Sequence, residues 1–330
     1  MDRRNRLQAH VEALNQQTAH LTQQTQALEA YSRMVERRRR GWWDLTCSVV
    51  VLSLLSLALP SSTGADAQLA TLSYRFETVD VPFPRDHTTC SGINNSGVLT
   101  GLYLDPRSQD VGFMKVGGKF ILLPLLNPHA INSSRHFTGW YDSRAGLRGF
   151  LHMGTEFLTI HFPLSNLTEA LGLNDNDEVV GDYRDSQGTF HSFLYRDGTY
   201  TTIDPPFPSA TGSGATGINN DGIIVGGFDE HGYIDDHGIF TQLDVPGASF
   251  TLPRAINNDG VIAGVYCVGS ACHGFTLDDG NFTTVAVPGA ILTDISGIND
   301  HGVLCGRYID VEGKHHGFVA KPGRERVARR

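Results

Sequence analysis

Thr216-Gly217-Ile218-Asn219-Asn220-Asp221-Gly222-Ile223-Ile224-Val225-Gly226-Gly227-Phe228 sets an apolar residue before an Asn-rich tetrad and follows it with β-branched residues alternating with small ones. The same pattern returns as SGINNSGVLTGLY from Ser91, HAINSSRHFTGWY from His129, LGLNDNDEVVGDY from Leu171, RAINNDGVIAGVY from Arg254 and SGINDHGVLCGRY from Ser296. Its anchors are Asn94, Asn132, Asn174, Asn219, Asn257 and Asn299, spaced 38 to 45 residues apart. Residues that tolerate positive φ between two short β-type runs describe a hairpin. Internal repetition at this period marks an architecture in which no single unit buries its own apolar face.

After each hairpin comes a short strand at a triad such as His273-Gly274-Phe275 or His316-Gly317-Phe318, then a last strand such as FTTVAVPGA from Phe282. Four strands in about 42 residues fit a propeller blade better than a β-helix coil, whose turns are shorter. The sixth unit stops after HHGFVAKPG without that last strand, while an orphan strand of its type, YRFETVDVP from Tyr74, precedes the first unit. Pairing the two ends removes the exposed edges an open array leaves. The expected fold is therefore an all-β, six-bladed β-propeller over 68–323, closed by the N-terminal strand and followed by a basic tail at 324–330; open sandwich and solenoid forms are the alternatives.

The first 67 residues differ in kind. Residues 1–40 lack Gly and Pro, and an apolar residue recurs at Leu7, Leu14, Leu21, Leu28 and Val35, with Val11, Thr18, Thr25 and Ser32 as companions. A Gln-rich helix over 1–41 follows, with only one seam position apolar. It either joins copies weakly through 7–35 as a coiled coil or stands solvated, unless translation starts at Met34. Arg37-Arg38-Arg39-Arg40, Trp42-Trp43 and the apolar run from Leu45 to Pro60 then lead to Ala65 and Ala67 before Gln68. That order is a signal peptide with an A-x-A cleavage site, or a signal anchor touching the membrane through 42–60. As helix, about 15 apolar residues span roughly 22 Å, short of a hydrocarbon core of about 30 Å, which favours cleavage. Either reading places the repeats outside the cytoplasm.

Residues 1–41 hold eight Arg against four acids, whereas 68–323 hold 14 Lys/Arg against 28 Asp/Glu. A phosphate backbone is repelled by such a domain, so nucleic-acid binding is excluded, and cations, neutral sugars or a basic partner are favoured.

The repeat residues resemble the bacterial extracellular repeat proteins of the HAF type, named for motifs like His273-Gly274-Phe275. The resemblance covers about 250 residues, departing at Val111 and Arg148 in place of His and at Ser192 in place of Gly. It implies an exported repeat protein of undefined activity and supplies no catalytic residues.

Cys90, Cys267, Cys272 and Cys305 are an even set in a compartment that permits disulfides. Cys267 and Cys272 flank a hairpin loop and are expected to pair; Cys90 and Cys305 meet only if the ring closes, and either lock the seam or remain buried thiols. His191, His231, His273 and His316 recur at one position of each unit, which points to shared local packing. Asn174-Asp175-Asn176-Asp177-Glu178 lacks a twelve-residue calcium loop and reads as turn chemistry. The repeat breaks in unit four, where Asp229, His231, Asp235, Asp236 and His237 read as one short loop, a candidate site for a divalent cation; no other cofactor is expected. Trp140, the one Trp of the repeats, is a candidate platform for a sugar ring. No nucleophile elbow, metalloprotease helix, P-loop or dinucleotide fingerprint is present. The expected function is a non-catalytic exported module that binds or scaffolds an extracellular ligand or protein. The alternative is a secreted hydrolase or lyase acting on carbohydrate or peptide with groups gathered around the axis. Equivalent residues lining the axis favour the first; unlike acids converging there favour the second.

Overall fold

The computed structural model describes residues 74–82, 87–105, 109–209 and 212–323. The helix expected over 1–41, the segment 42–67 and the tail 324–330 lie outside the described residues. Every regular element among the described residues is a strand, and none is a helix long and apolar enough to cross a membrane.

β1 (Tyr74–Val79) comes first. Four-stranded antiparallel meanders follow, each running from an inner to an outer strand. The first is β2 (Thr88–Ile93), β3 (Leu99–Leu104), β4 (Asp110–Val116) and β5 (Lys119–Leu123). The second is β6 (Asn127–Ile131), β7 (Phe137–Ser143), β8 (Gly146–Met153) and β9 (Glu156–Ile160). The third is β10 (Leu167–Leu173), β11 (Val179–Arg184), β12 (Phe190–Arg196) and β13 (Thr199–Thr202). The fourth is β14 (Ser213–Ile218), β15 (Ile224–Phe228), β16 (His231–Asp236) and β17 (Ile239–Leu243). The fifth is β18 (Phe250–Ile256), β19 (Ile262–Val268), β20 (Ala271–Asp278) and β21 (Asn281–Val285). The last has three strands of its own, β22 (Leu292–Ile298), β23 (Leu304–Ile309) and β24 (His315–Pro322). Its fourth place is taken by β1, antiparallel to β24 from Tyr74↔Pro322 to Val79↔Gly317.

Each inner strand shifts register at the same point, from Cys90/Gly92 and Pro128/Ile131 to Ile295/Gly297. Such a bulge bends the strand and re-aims the extra residue. Thr216, at the bulge of β14, accordingly donates through Oγ1 to Pro253 O of the next unit at 2.8 Å. The aromatic of each triad, Phe113, Phe150, Phe193, Tyr233, Phe275 or Phe318, is fully buried, each worth roughly 2–3 kcal/mol of apolar burial. In unit five the glycine before it is needed because the next unit approaches closely: a Cβ on Gly274 would stand 2.7 Å from Ile295 Cδ1. One apolar cluster holds Cys90, Ile93 and Phe113 of the first unit with Val79, Cys305 and Val319 of the last.

Cys267 and Cys272 are bonded across the β19–β20 hairpin, as expected. Cys90 and Cys305 are free and fully buried, so of the two readings the structure has the buried thiols and not the seam disulfide. They share a cluster, but Cys90 Sγ lies over Gly317 of β24 whereas Cys305 Sγ lies over Gly297 of β22, so the two sulfurs face different strands. Burial pushes the Cys90 thiol up to about 12. It also raises Cys305, with the nearby Cys90 adding to the shift. The expected result with iodoacetamide at pH 8 is no labelling of either thiol in the folded protein and labelling of both in denaturant, read by mass spectrometry. Labelling of the native protein would show that the seam opens.

Candidate functional site

The repeat asparagines end the inner strands and are 2 to 5% exposed. Within each turn the Asn Oδ1 accepts from the backbone N–H four residues on: Val98 N to Asn94, His136 N to Asn132, Glu178 N to Asn174, Ile223 N to Asn219, Val261 N to Asn257 and Val303 N to Asn299, at 2.8–3.0 Å. That much is the expected turn chemistry. The other end of the amide does something the sequence did not disclose. Asn94 Nδ2 donates to Asn132 O, Asn132 to Asn174 O, Asn174 to Asn219 O, Asn219 to Asn257 O and Asn257 to Asn299 O. Asn299 Nδ2 then donates to Asn94 O at 3.1 Å, and the series returns to its first member.

The next residue of each turn adds a second tier. Ser133 N donates to Asp175, Asp175 N to Asn220, Asn220 N to Asn258, Asn258 N to Asp300 and Asp300 N to Asn95. Residues of both tiers line a recess whose walls repeat one chemistry, an Ile or Leu, five of the six ring Asn and an Asn, Asp or Ser from successive units. Burial pushes the Asp300 carboxyl up, but the amide donors of Asn258 and Asn95 outweigh it and hold Asp300 below its ordinary value.

The repeated histidines stand apart, each clamped inside its own unit. His191 Nδ1 meets Asp204 at 2.6 Å and His316 Nδ1 meets Asp80 at 2.8 Å, with Asp185 and Asp310 on their other nitrogens. His231 Nδ1 meets Asp244 at 3.0 Å. The His273 ring packs 5.8 Å from Tyr266. The expectation of a shared packing role describes this geometry.

The unit-four cation loop is corrected. Asp229 lies in the tight turn before β16, His231 begins that strand, Asp235 and Asp236 end it, and His237 lies in the turn beyond. Roughly 17 Å of extended chain separates the two ends. Asp229 Oδ1 accepts from Ser209, Asp235 Oδ1 from Gly238 N, and His237 Nδ1 meets Asp236. His237 is raised by the Asp236 hydrogen bond. Among the described residues no group of three or more His, Cys, Asp or Glu can hold a metal ion. Trp140 sits in β7 opposite Asn127 and is not among the residues lining the recess.

Sequence reading missed a polar seam between units three and four. Glu169 of β10 and Asp182 of β11 are register partners, 2% and 0% exposed. No nitrogen or hydroxyl reaches either oxygen of Asp182. Across the register it faces the Glu169 carboxyl. Burial, then the charge and hydrogen bond of Asp182, raise Glu169 well above its ordinary value, and burial lifts Asp182 to about 7. The equivalent pair in the last unit has opposite charges, Asp294↔Arg307, with Arg254 also reaching Asp294 at 3.0 Å. On the same face of β12, Ser192 Oγ meets Tyr233 OH at 2.9 Å and Ser213 Oγ at 2.8 Å, and Ser213 Oγ donates to Asp204. The signal was present: Ser192 replaces the triad glycine and Tyr233 the triad phenylalanine, and the two exceptions touch.

No family model matches this chain, and no curated protein matches it either. TolB from Acinetobacter baumannii is similar at a TM-score of 0.51 and 14% identity, over 68% of this chain and 64% of that one. The Aleuria aurantia lectin in complex with Fucα1-6GlcNAc is similar at 0.50 and 10% identity, over 72% and 93%. A virginiamycin B lyase from Staphylococcus aureus gives 0.48 and 13%, over 75% and 99%. The first two likenesses, with the strand pairing, establish a fold of repeated four-stranded sheets of the propeller kind.

Proposed function

We propose that the chain is an exported six-bladed β-propeller of the HAF-repeat type, closed by its N-terminal strand, that works outside the cytoplasm as a binding or scaffold module. The observation that carries this reading is the axial recess, whose walls are the same positions of successive repeats rather than a set of unlike catalytic groups. The β1–β24 pairing and the Asn299-to-Asn94 hydrogen bond support closure. The Cys267–Cys272 bond suits an oxidising compartment. The recess offers amides, two carboxylates and a serine to a small polar ligand, and the lectin named above bears a saccharide in its structure. Calorimetric titration with neutral monosaccharides and disaccharides tests the reading, with binding expected to fall at least tenfold in Asp175→Ala and Asp300→Ala. Unchanged affinity in both variants sinks the recess as the site.

A catalytic reading has one observation in its favour, the buried Glu169–Asp182 register pair. Neither residue lines the recess. Turnover of an extracellular carbohydrate or peptide that disappears in Glu169→Gln would replace the binding reading with the hydrolase or lyase one.

Export itself has a direct check. N-terminal sequencing of the protein recovered outside the cell is expected to begin at Gln68; a start within 1–41 means that the segment 42–60 remains as an anchor and the 7–35 helix stays available for joining copies.

A further inference from the structure

Five of the nine large apolar side chains exposed among the described residues belong to the first two units and the loops that follow them. Three of these rim one cluster. Met114, Leu123 and Leu126 pack with Tyr141 and Phe150 between the units. Ile121 is the register partner of Met114, Phe157 lies 5.8 Å from Tyr141 and 5.3 Å from Phe150, and Leu125 precedes Leu126. Leu164 stands on the next loop, fully exposed.

Leu125 and Leu164 are also strained. Each follows a proline in a turn closed by a backbone hydrogen bond, Leu126 N to Leu123 O and Ser165 N to Phe162 O. In units four and five the same turn is built on Gly247 and Gly289, with φ of 81° and 80°. That position of a Pro-led turn calls for positive φ and hence for glycine. Leucine holds it here at 70° and 64° with its side chain in solvent. Packing within the chain gives no return for that strain. Strain of this kind gathers at sites of recognition.

Charge identifies the occupant. Residues 81–160 hold seven Lys/Arg and five Asp/Glu, whereas 161–323 hold six and 21. Lys119 opens β5, and Lys115 lies over the Phe120 ring beside the patch. A near-neutral apolar sector with two lysines complements the acidic remainder of the same fold, while an anionic lipid surface is repelled by that remainder.

We propose that the rim formed by Ile121, Leu125, Phe157 and Leu164 docks a second copy of this chain, head to tail against its acidic sector. The contact is heterologous, so it extends or closes a ring of copies rather than making an isologous pair. Sedimentation equilibrium of the full chain, wild type against Leu125→Gly/Leu164→Gly, tests this. Wild type is expected to gain mass with concentration and to lose it in 0.5 M NaCl. The double variant is expected to need at least tenfold more protein for the same mass, with its melting temperature equal or higher because glycine suits the turn. Phe157→Ser and Lys119→Glu give the same answer without touching the turns. Association unchanged in all three variants, or a wild type that stays a single copy throughout, overturns the proposal. So does flotation with anionic vesicles that the double variant loses while wild type never self-associates.

Discussion

Glu169→Gln is expected to raise the melting temperature at pH 8 by about 4–8 °C and to leave it nearly unchanged at pH 4. The wild-type pair puts two carboxyls, 2% and 0% exposed, on neighbouring strands with one proton to share. Burial disfavours the charged form of each, and ionising both places like charges in contact. Gln keeps the length of the side chain and supplies a permanent N–H donor to Asp182, whose oxygens otherwise meet none. The gain is on the order of 2 kcal/mol at a pH where the unfolded wild type has given up a proton that the folded pair must take back. Thermal melts from pH 4 to 8 check it, and an equal shift at every pH sinks the proton-sharing account.

The sign of the wild-type pH dependence follows from the same groups. Glu169 and Asp182 are raised, so the folded state holds more protons than the unfolded one, and stability falls as pH climbs from the unfolded carboxylate range of about 4 through about 7. For His191, burial pulls the imidazole down, but the hydrogen bonds and charges of Asp204 and Asp185 outweigh it and the net shift is upward. His316 is raised in the same way by Asp80 and Asp310 against burial. A raised histidine stabilises fully below its unfolded value near 6.5, and that contribution is lost as pH rises through its folded value. Carboxyls and histidines therefore slope together in wild type, while Glu169→Gln loses the Glu169 part and keeps those of Asp182 and the histidines.

Much of this was legible because the chain states its fold six times. The Asn-led turns, the His-Gly-Phe triads and the orphan strand at Tyr74 each carry a local preference that recurs in register, and recurrence separates signal from composition. Contacts between units are different, since they depend on which residues face each other across a gap that sequence distance does not measure. Asn257 shows the turn it caps; its donation to Asn299 O, 42 residues on, is invisible until the units are set side by side. Glu169 and Asp182 are 13 positions apart, and only the β10–β11 register makes them partners. The unit-four loop failed for a reason the repeat itself supplied. His231-Gly232-Tyr233 is that unit's triad and had to be a strand, which splits Asp229 from Asp235, Asp236 and His237.

Asn257→Asp is expected to cost about 3 kcal/mol or more at pH 7, a larger loss than any single surface change in the repeats. The substitution keeps the oxygen that accepts from Val261 N at 2.8 Å and removes the donor to Asn299 O. A carboxylate oxygen then faces a carbonyl at a site 4% exposed. Asn257→Ala loses both bonds but buries no charge, so it is expected to be the milder of the two. At pH 4 the Asp variant recovers part of its loss, because a protonated carboxyl again has a hydrogen to give to Asn299 O. Closure can be read from the same substitution made elsewhere. In a ring, Asn299→Asp removes the bond to Asn94 O and costs as much as Asn257→Asp within about 1 kcal/mol. In an open array Asn299 has no next unit to hold, and its variant falls well short of the internal one. Denaturant titration of the two variants, at pH 7 and again at pH 4, decides between these outcomes.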